Sequence, residues 1–376
     1  MGLKYVDEYR DPGLAKGLIA SITARSRKPA RFMEICGTHT VAIFRSGLRG
    51  LLPAHIQLVS GPGCPVCVTA AEDIDRFLWL ARQPGVIVTT FGDLLRVPGS
   101  TSSLQKERSE GADVRMVYSS FDALRIAVEN PERQVVLLGV GFETTAPTVA
   151  AAVKKAAEKS IGNFSVYCAH KLLPPAMETL LSSGEMRLDG FICPGHVSTV
   201  IGARAYEAVA ARHRLPCVVT GFEPIDLLQG IGMLVEQVES GGQGVFNQYR
   251  RAVSYEGNAT AQGLMAEVFE PCGAAWRGLG RIPESGLRLR AAWERFDAAE
   301  RFSLPDITVD ENPACRCGDV LRGAIRPPEC GLFGRACTPE RPLGPCMASG
   351  EGTCGAYHRF RGQWEDSGAL GEAGGK

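Results

Sequence analysis

Arg31-Phe32-Met33-Glu34-Ile35-Cys36-Gly37-Thr38-His39-Thr40-Val41-Ala42-Ile43-Phe44 is the stretch whose reading decides the fold. Residues 31–35 read as a short β-strand, a glycine turn follows, and a helical apolar pattern starts at Val41. A turn at the carboxyl end of a strand that opens a helix is where open α/β sheets place their chemistry. The N–H groups and dipole of that helix start would lower the pKa of the Cys36 thiol, and His39, three residues on, would add to the effect. The plainer reading makes Thr38 or Thr40 a helix cap and Cys36 a small buried side chain.

The same unit recurs along the chain. Residues 55–60 form a strand that ends in Gly61-Pro62-Gly63-Cys64-Pro65-Val66-Cys67, and a helical pattern begins near Ala70 with Glu72 and Asp73 in its first turn. Residues 86–90 lead into Phe91-Gly92-Asp93, and residues 134–139 into Val140-Gly141-Phe142-Glu143-Thr144-Thr145-Ala146-Pro147. Two later strands run into Pro194-Gly195-His196-Val197 and Gly221-Phe222-Glu223-Pro224. Three strand–turn–helix units in the same order twice predict an α/β fold of two similar domains, residues 1–120 and 121–225. Each is expected to be a small parallel sheet with helices on both faces, its strand-end loops turned to a shared cleft. Glu143, Thr144, His170, His196 and Glu223 sit at such ends and together support an interdomain site. Asp93 and Arg96 read as ligands or, more simply, as a structural ion pair, and residues 101–111 as a flexible cover. Residues 226–360 are expected to be a helical and cysteine-rich unit, broken at Pro271-Cys272-Gly273 and with a helix over 287–300; residues 361–376 read as a disordered tail.

Composition narrows the function. Forty-one basic residues balance 41 acidic ones among 376, which gives no electrostatic case for nucleic acid or an anionic membrane. The start of the chain lacks the apolar core of a signal peptide, and no run of about 18 apolar residues is present, so a cytoplasmic location is expected. In that reducing compartment thirteen cysteines read as thiol chemistry or metal ligation, not as a disulfide framework. The Walker pattern is absent, and Gly139-Val140-Gly141 is only a fragment of a dinucleotide fingerprint. Cys64 and Cys67 put two thiols within disulfide reach at a helix start, the arrangement of a redox-active pair. The alternative is half of a zinc site, which normally brings a second Cys-x-x-Cys that this chain lacks.

Between residues 312 and 357 the sequence is too rich in proline and glycine for a long helix or a central strand, and something other than core packing must hold it. Cys315, Cys317, Cys330, Cys337, Cys346, Cys354 and His358 are the candidates to close on a metal centre.

Taken together, the Cys36-Gly37-Thr38-His39-Thr40, Gly61-to-Cys67, Thr90-Phe91-Gly92-Asp93, Gly141-to-Pro147 and Pro194-to-Val197 blocks and the terminal cysteine array resemble the HypD family of hydrogenase maturation factors, in order, over about 31–358. The family's iron-sulfur signature, Cys-x14-Cys-x6-Cys-x16-Cys, is met by Cys315, Cys330, Cys337 and Cys354. The resemblance implies one [4Fe-4S] cluster on those four cysteines. It also implies a scaffold, shared with the small chaperone HypC, on which iron acquires the ligands of the Fe(CN)2CO unit of [NiFe]-hydrogenase, with HypE supplying the cyanide. Cys36 would hold that iron with a HypC thiolate, Cys64 and Cys67 would exchange electrons with the cluster, and His39 would orient the iron or a leaving group. On its residue chemistry alone, Glu351, three residues before Cys354, would relay a proton near the cluster or be a plain surface glutamate. Two rivals stand beside this reading: a structural zinc module, and a cluster-fed thiol–disulfide reductase with no need of Cys36. The sequence leaves open whether Cys317 or Cys346 replaces one of the four ligands.

Overall fold

A computed structural model of the chain describes residues 7–184, 187–307, 309 and 312–362. Its strands are β1 (Ala30–Glu34), β2 (Ile56–Ser60), β3 (Val86–Thr90), β4 (Val114–Met116), β5 (Gln134–Gly139), β6 (Phe164–Cys168), β7 (Gly190–Pro194), β8 (Pro216–Thr220), β9 (Gly244–Asn247), β10 (Phe269–Trp276) and β11 (Gly280–Leu289). The α/β class expected from the sequence is present as two parallel sheets, one ordered β2-β1-β7-β8-β9 and the other β4-β3-β5-β6. Every residue of β3, β7 and β8 is buried, which is why these segments read as unbroken apolar runs and not as alternating ones.

The sheets do not divide at residue 120. The first joins β1 and β2 to β7, β8 and β9, while the second is a contiguous excursion made between β2 and β7. Strands buried on both faces carry no mark of their neighbour, so repetition along the chain could not reveal this pairing. What the two sheets share is strand order: counted within each sheet, both begin 2-1-3-4. That order reverses between β1 and β7 in one sheet and between β3 and β5 in the other, and crevices outside such reversals are where α/β proteins bind ligands.

The third region also departs from expectation. After the helix Pro224–Ser240 come β9, the helix Ala259–Val268 and an antiparallel hairpin of β10 and β11 that contains Pro271-Cys272-Gly273, so the expected break is part of a strand. The helix expected over 287–300 is the end of β11, a 3-10 turn (Ala291–Phe296) and the start of the short helix Ala298–Phe302. Residues 101–111 include a helix, Leu104–Ser109, in place of an irregular cover. The expected tail lies, beyond residue 362, outside the described residues.

One face of the first sheet packs Phe32, Ile56, Leu58, Ile192 and Val218 against Ile22 of the helix Pro12–Arg25 and Ile231 of Pro224–Ser240. The opposite face, with Met33, Ile35, Phe191 and Val219, continues without interruption into Cys64, Cys67, Trp276, Cys317 and Cys346. The hairpin braces this junction. Trp276 is buried, donates its Nε1–H to Ser285 Oγ (2.8 Å), stacks on Phe142 (centroids 6.0 Å apart) and bridges to Thr69, just after the Cys64 turn. A Cβ on Gly278 would stand 2.4 Å from Gly318 Cα, so the hairpin tip sits against the cysteine-rich segment as only glycine permits.

Candidate functional site

Four turns meet at the carboxyl ends of the strands. The turn after β1 carries Cys36, which precedes the helix Gly37–Arg45; the turn after β2 carries Cys64, which precedes the short helix Pro65–Val68. These two are stitched backbone to backbone by Gly37 N–H donating to Gly63 O (3.0 Å), and a Cβ on Gly63 would fall 2.0 Å from Cys36 N. The segment Ser349–Gly350–Glu351 crosses both: a Cβ on Gly37 would meet Glu351 O at 2.5 Å, and Thr38 Oγ1 donates to Glu351 Oε1 (2.7 Å). Asp93, on the turn after β3, accepts from Ser349 Oγ (3.0 Å) and Gly350 N (3.1 Å), and Arg96 donates to Ala348 O (2.8 Å). Asp93 and Arg96 therefore clamp the cysteine segment; the expected pairing with each other is replaced by these bonds.

Cys36 is buried, and burial outweighs the helix start. The N–H groups of His39 and Thr38 do favour the thiolate, as the sequence suggested, but desolvation pushes the thiol up to about 11. His39 is buried and neutral, its pKa pushed down to about 4 by burial. Its Nε2 lies 3.0 Å from Gly221 O, and a carbonyl only accepts, so Nε2 carries the proton and donates. Nδ1 is then the lone-pair nitrogen, and among the described residues no hydrogen-bond partner reaches it. The ring lies 4.7 Å from that of Phe222, on whose ring His196 also stacks at 4.0 Å. His39 thus fastens the Cys36 helix to the turn after β8.

Of the strand-end set, His196 joins this cleft, exposed and near Glu351. Glu143 is buried, accepts from Leu173 N (2.9 Å) and is raised by burial to about 7. The buried His170 packs on Phe269, and Glu223 caps the helix Pro224–Ser240 while paired with Arg10 (2.6 Å). These three hold the fold together and take no place in the cleft.

The thiols form a row. Cys64 Sγ and Cys67 Sγ are 2.7 Å apart, Cys67 is within hydrogen-bond reach of Cys346, and Cys346 Sγ is 2.8 Å from Cys317 Sγ. Cys354 lies beside Cys346 and Cys315 beside Cys317. Cys315, Cys317, Cys330, Cys337, Cys346 and Cys354 line one small cavity with Leu332, Phe333 and Met347. His358 turns its ring to Phe333 (centroids 6.1 Å apart). Among the described residues no three ligating side chains are arranged to hold a single ion. The donor set suits a larger group: a four-iron cube takes each thiolate at a separate corner. Leu343 N–H donates to Cys337 Sγ (3.3 Å), a contact that favours a thiolate there, while burial holds the free thiol protonated. Cys317 and Cys346 face each other and reach toward Cys67, while each also has another cavity cysteine beside it. Glu351 stands beside Cys36 and Thr38.

Two doubly wound sheets whose turns converge on a row of buried thiols define a cysteine-centred α/β protein. A family profile described as "Hydrogenase formation hypA family", HypD, matches residues 13–361. The chain is 50% identical to hydrogenase maturation factor HypD2 of Bradyrhizobium diazoefficiens over 96% of its length and 98% of the relative's. It is 51% identical to HypD of Rhizobium leguminosarum bv. viciae (96% and 97%) and 45% identical to HypD of Escherichia coli (96% and 99%). The chain belongs to the HypD family of hydrogenase maturation factors. Among the described residues no helix is long and apolar enough to cross a membrane.

Proposed function

We propose that this chain is the cytoplasmic scaffold on which iron receives its cyanide and carbon monoxide ligands, working with a HypC-type chaperone and a HypE-type cyanide donor. The observation that carries the reading is the continuous row of thiols from the cysteine-lined cavity to Cys64, ending against the turn that bears Cys36. Iron carrying cyanide and carbon monoxide is the cargo, and soft thiolate donors suit it. Cys36 supplies one such thiolate at a helix start where Thr38 and His39 direct N–H groups at its sulfur. Binding iron there costs a proton, because burial keeps the free thiol protonated.

Cys315, Cys330, Cys337 and Cys354 would hold a [4Fe-4S] cluster, whose chemistry when bound is to supply electrons one at a time. The protein's own residues then exchange disulfides. The Cys346 thiolate attacks Cys67 Sγ of an oxidised Cys64–Cys67 pair, a Cys67–Cys346 bond forms, and the electron pair leaves on Cys64. The Cys317 thiolate then attacks Cys346, forms Cys317–Cys346 and releases Cys67. Two electrons have moved outward, and the Cys64–Cys67 dithiol can reduce a cyanide carrier beside Cys36.

Metal and sulfide analysis of anaerobically purified protein tests the cluster: about four irons and four sulfides per chain are expected. Zinc without sulfide would leave a structural module. Cys36→Ala is expected to keep those four irons yet carry no cyanide-ligated iron in the complex with the chaperone, read by infrared bands of the diatomic ligands. Retention of those bands would remove Cys36 from its role.

A further inference from the structure

The Cys64–Cys67 pair is sealed from water: Cys64 is 5% and Cys67 0% exposed. A dithiol–disulfide couple takes up two protons with its two electrons, so a buried couple needs a route for protons as well as electrons. The electrons have the row of thiols on the Cys67 side. On the Cys64 side the neighbour is Ser349, itself 2% exposed, with Oγ 3.4 Å from Cys64 Sγ. Ser349 Oγ is in turn 3.0 Å from Asp93 Oδ2, and Asp93 is exposed.

The direction of this chain follows from the chemistry of its members. A carboxylate only accepts, so Ser349 O–H donates to Asp93; the hydroxyl oxygen is then left to accept from the Cys64 S–H. Its other contact, the Glu351 N–H at 3.2 Å, also donates to it and fixes its position. The Gly350 N–H holds the Asp93 carboxylate in place at 3.1 Å. Charged groups around Asp93 are Arg96 on its own turn, and Glu351 and Arg359 from the cysteine segment, Arg359 donating to Gly350 O (3.4 Å).

We propose that Ser349 and Asp93 are the proton path of the Cys64–Cys67 couple. The proposal rests on the reading of that pair as the outer dithiol. When Cys346 attacks Cys67 and the S–S bond breaks, Cys64 leaves as a thiolate; the Asp93 carboxylate takes a proton from water and passes it to Ser349 Oγ as the hydroxyl hands its own proton to Cys64. Oxidation runs the same path outward. Ser349 touches the reacting sulfur, and Asp93 acts through it.

The test uses the full chain, purified anaerobically with its metal, oxidised, then reduced with dithionite in H2O and in D2O. Samples are quenched by alkylation, and the free thiol at Cys64 is counted by peptide mass spectrometry. Wild type is expected to show a Cys64–Cys67 disulfide that opens with a solvent isotope effect. Ser349→Ala and Asp93→Asn are expected to open it roughly 10²-fold more slowly, the scale of positioned proton transfer, and Ser349→Thr to restore the rate. Asp93→Asn keeps an acceptor oxygen for Gly350 and Ser349, so a clamp without proton transfer would leave rate and isotope effect unchanged. That outcome with an intact wild-type disulfide overturns the proton path alone. A wild-type chain in which no Cys64–Cys67 disulfide forms overturns both the path and the couple it serves.

Discussion

At the scale of single residues, burial decides the chemistry more often than local motif does. Cys36 was legible as a helix-start thiol, but its protonation is set by the core it sits in, which no local pattern encodes. Glu143 shows the same effect with a measurable sign. Its carboxyl is raised from 4.5 to about 7 by burial, and among the described residues Oε2 has no hydrogen-bond partner. The folded state therefore holds the proton more tightly than the unfolded one. The stability this contributes is complete below pH 4.5 and is lost as pH rises to about 7, on the order of 3 kcal/mol. Glu143→Gln keeps the oxygen that accepts from Leu173 and removes the titration. Urea unfolding from pH 5 to 8 is expected to flatten in the variant, with a gain of about 1–3 kcal/mol at pH 8.

At the scale of elements, the turns carry the site and the glycines set how closely they approach. Strand-end motifs at Cys36, Cys64, Asp93 and His196 were legible because each follows an apolar strand with a glycine-bearing turn. The hairpin of β10 and β11 was not, since Pro271, Gly273, Pro283 and Gly286 write breaker signals into strands that pair with each other and lie outside both parallel sheets. The pairing of Cys317 with Cys346 was equally hidden, because spacing in a loop does not say which sulfurs face. Gly63 tests the stitch between the first two turns: with its Cβ 2.0 Å from Cys36 N, Gly63→Ala must push the turns apart. The expected cost is about 1–3 kcal/mol in thermal unfolding. The cavity cysteines lie on another segment, so cluster iron and sulfide should stay while cyanide-ligated iron is lost from the chaperone complex.

At the scale of the whole molecule, the cysteine segment is held by side chains from both sheets. Asp93 and Arg96 come from the second sheet's turn, Thr38 from the first sheet's helix, and Arg49 reaches from Glu34 (3.0 Å) to Tyr357 (3.2 Å). The segment has few large apolar residues of its own, so loss of the proposed cluster should be felt at these anchors first. Hydrogen exchange with and without the cluster is expected to show faster exchange over 312–362, at Gly92–Arg96 and in Gly37–Arg45. The amides of β5, β7 and β8 should keep their protection. Uniform loss of protection across both sheets would instead make the metal part of the global fold.

The excursion between β2 and β7 has a consequence for how the chain is born. The strands β7 and β8 that complete the sheet around Cys36 leave the ribosome only when Thr220 does, about 180 residues after it. At synthesis rates of about 5–20 residues per second that interval lasts roughly ten to forty seconds. Throughout it a thiol destined for burial stands naked on a nascent chain, within reach of any stray oxidant or adventitious ion. The second sheet, whose four strands are contiguous, can fold in that time and wait. Faithful biogenesis then depends on the redox hygiene of the compartment during translation, before the finished molecule can defend its own sulfur.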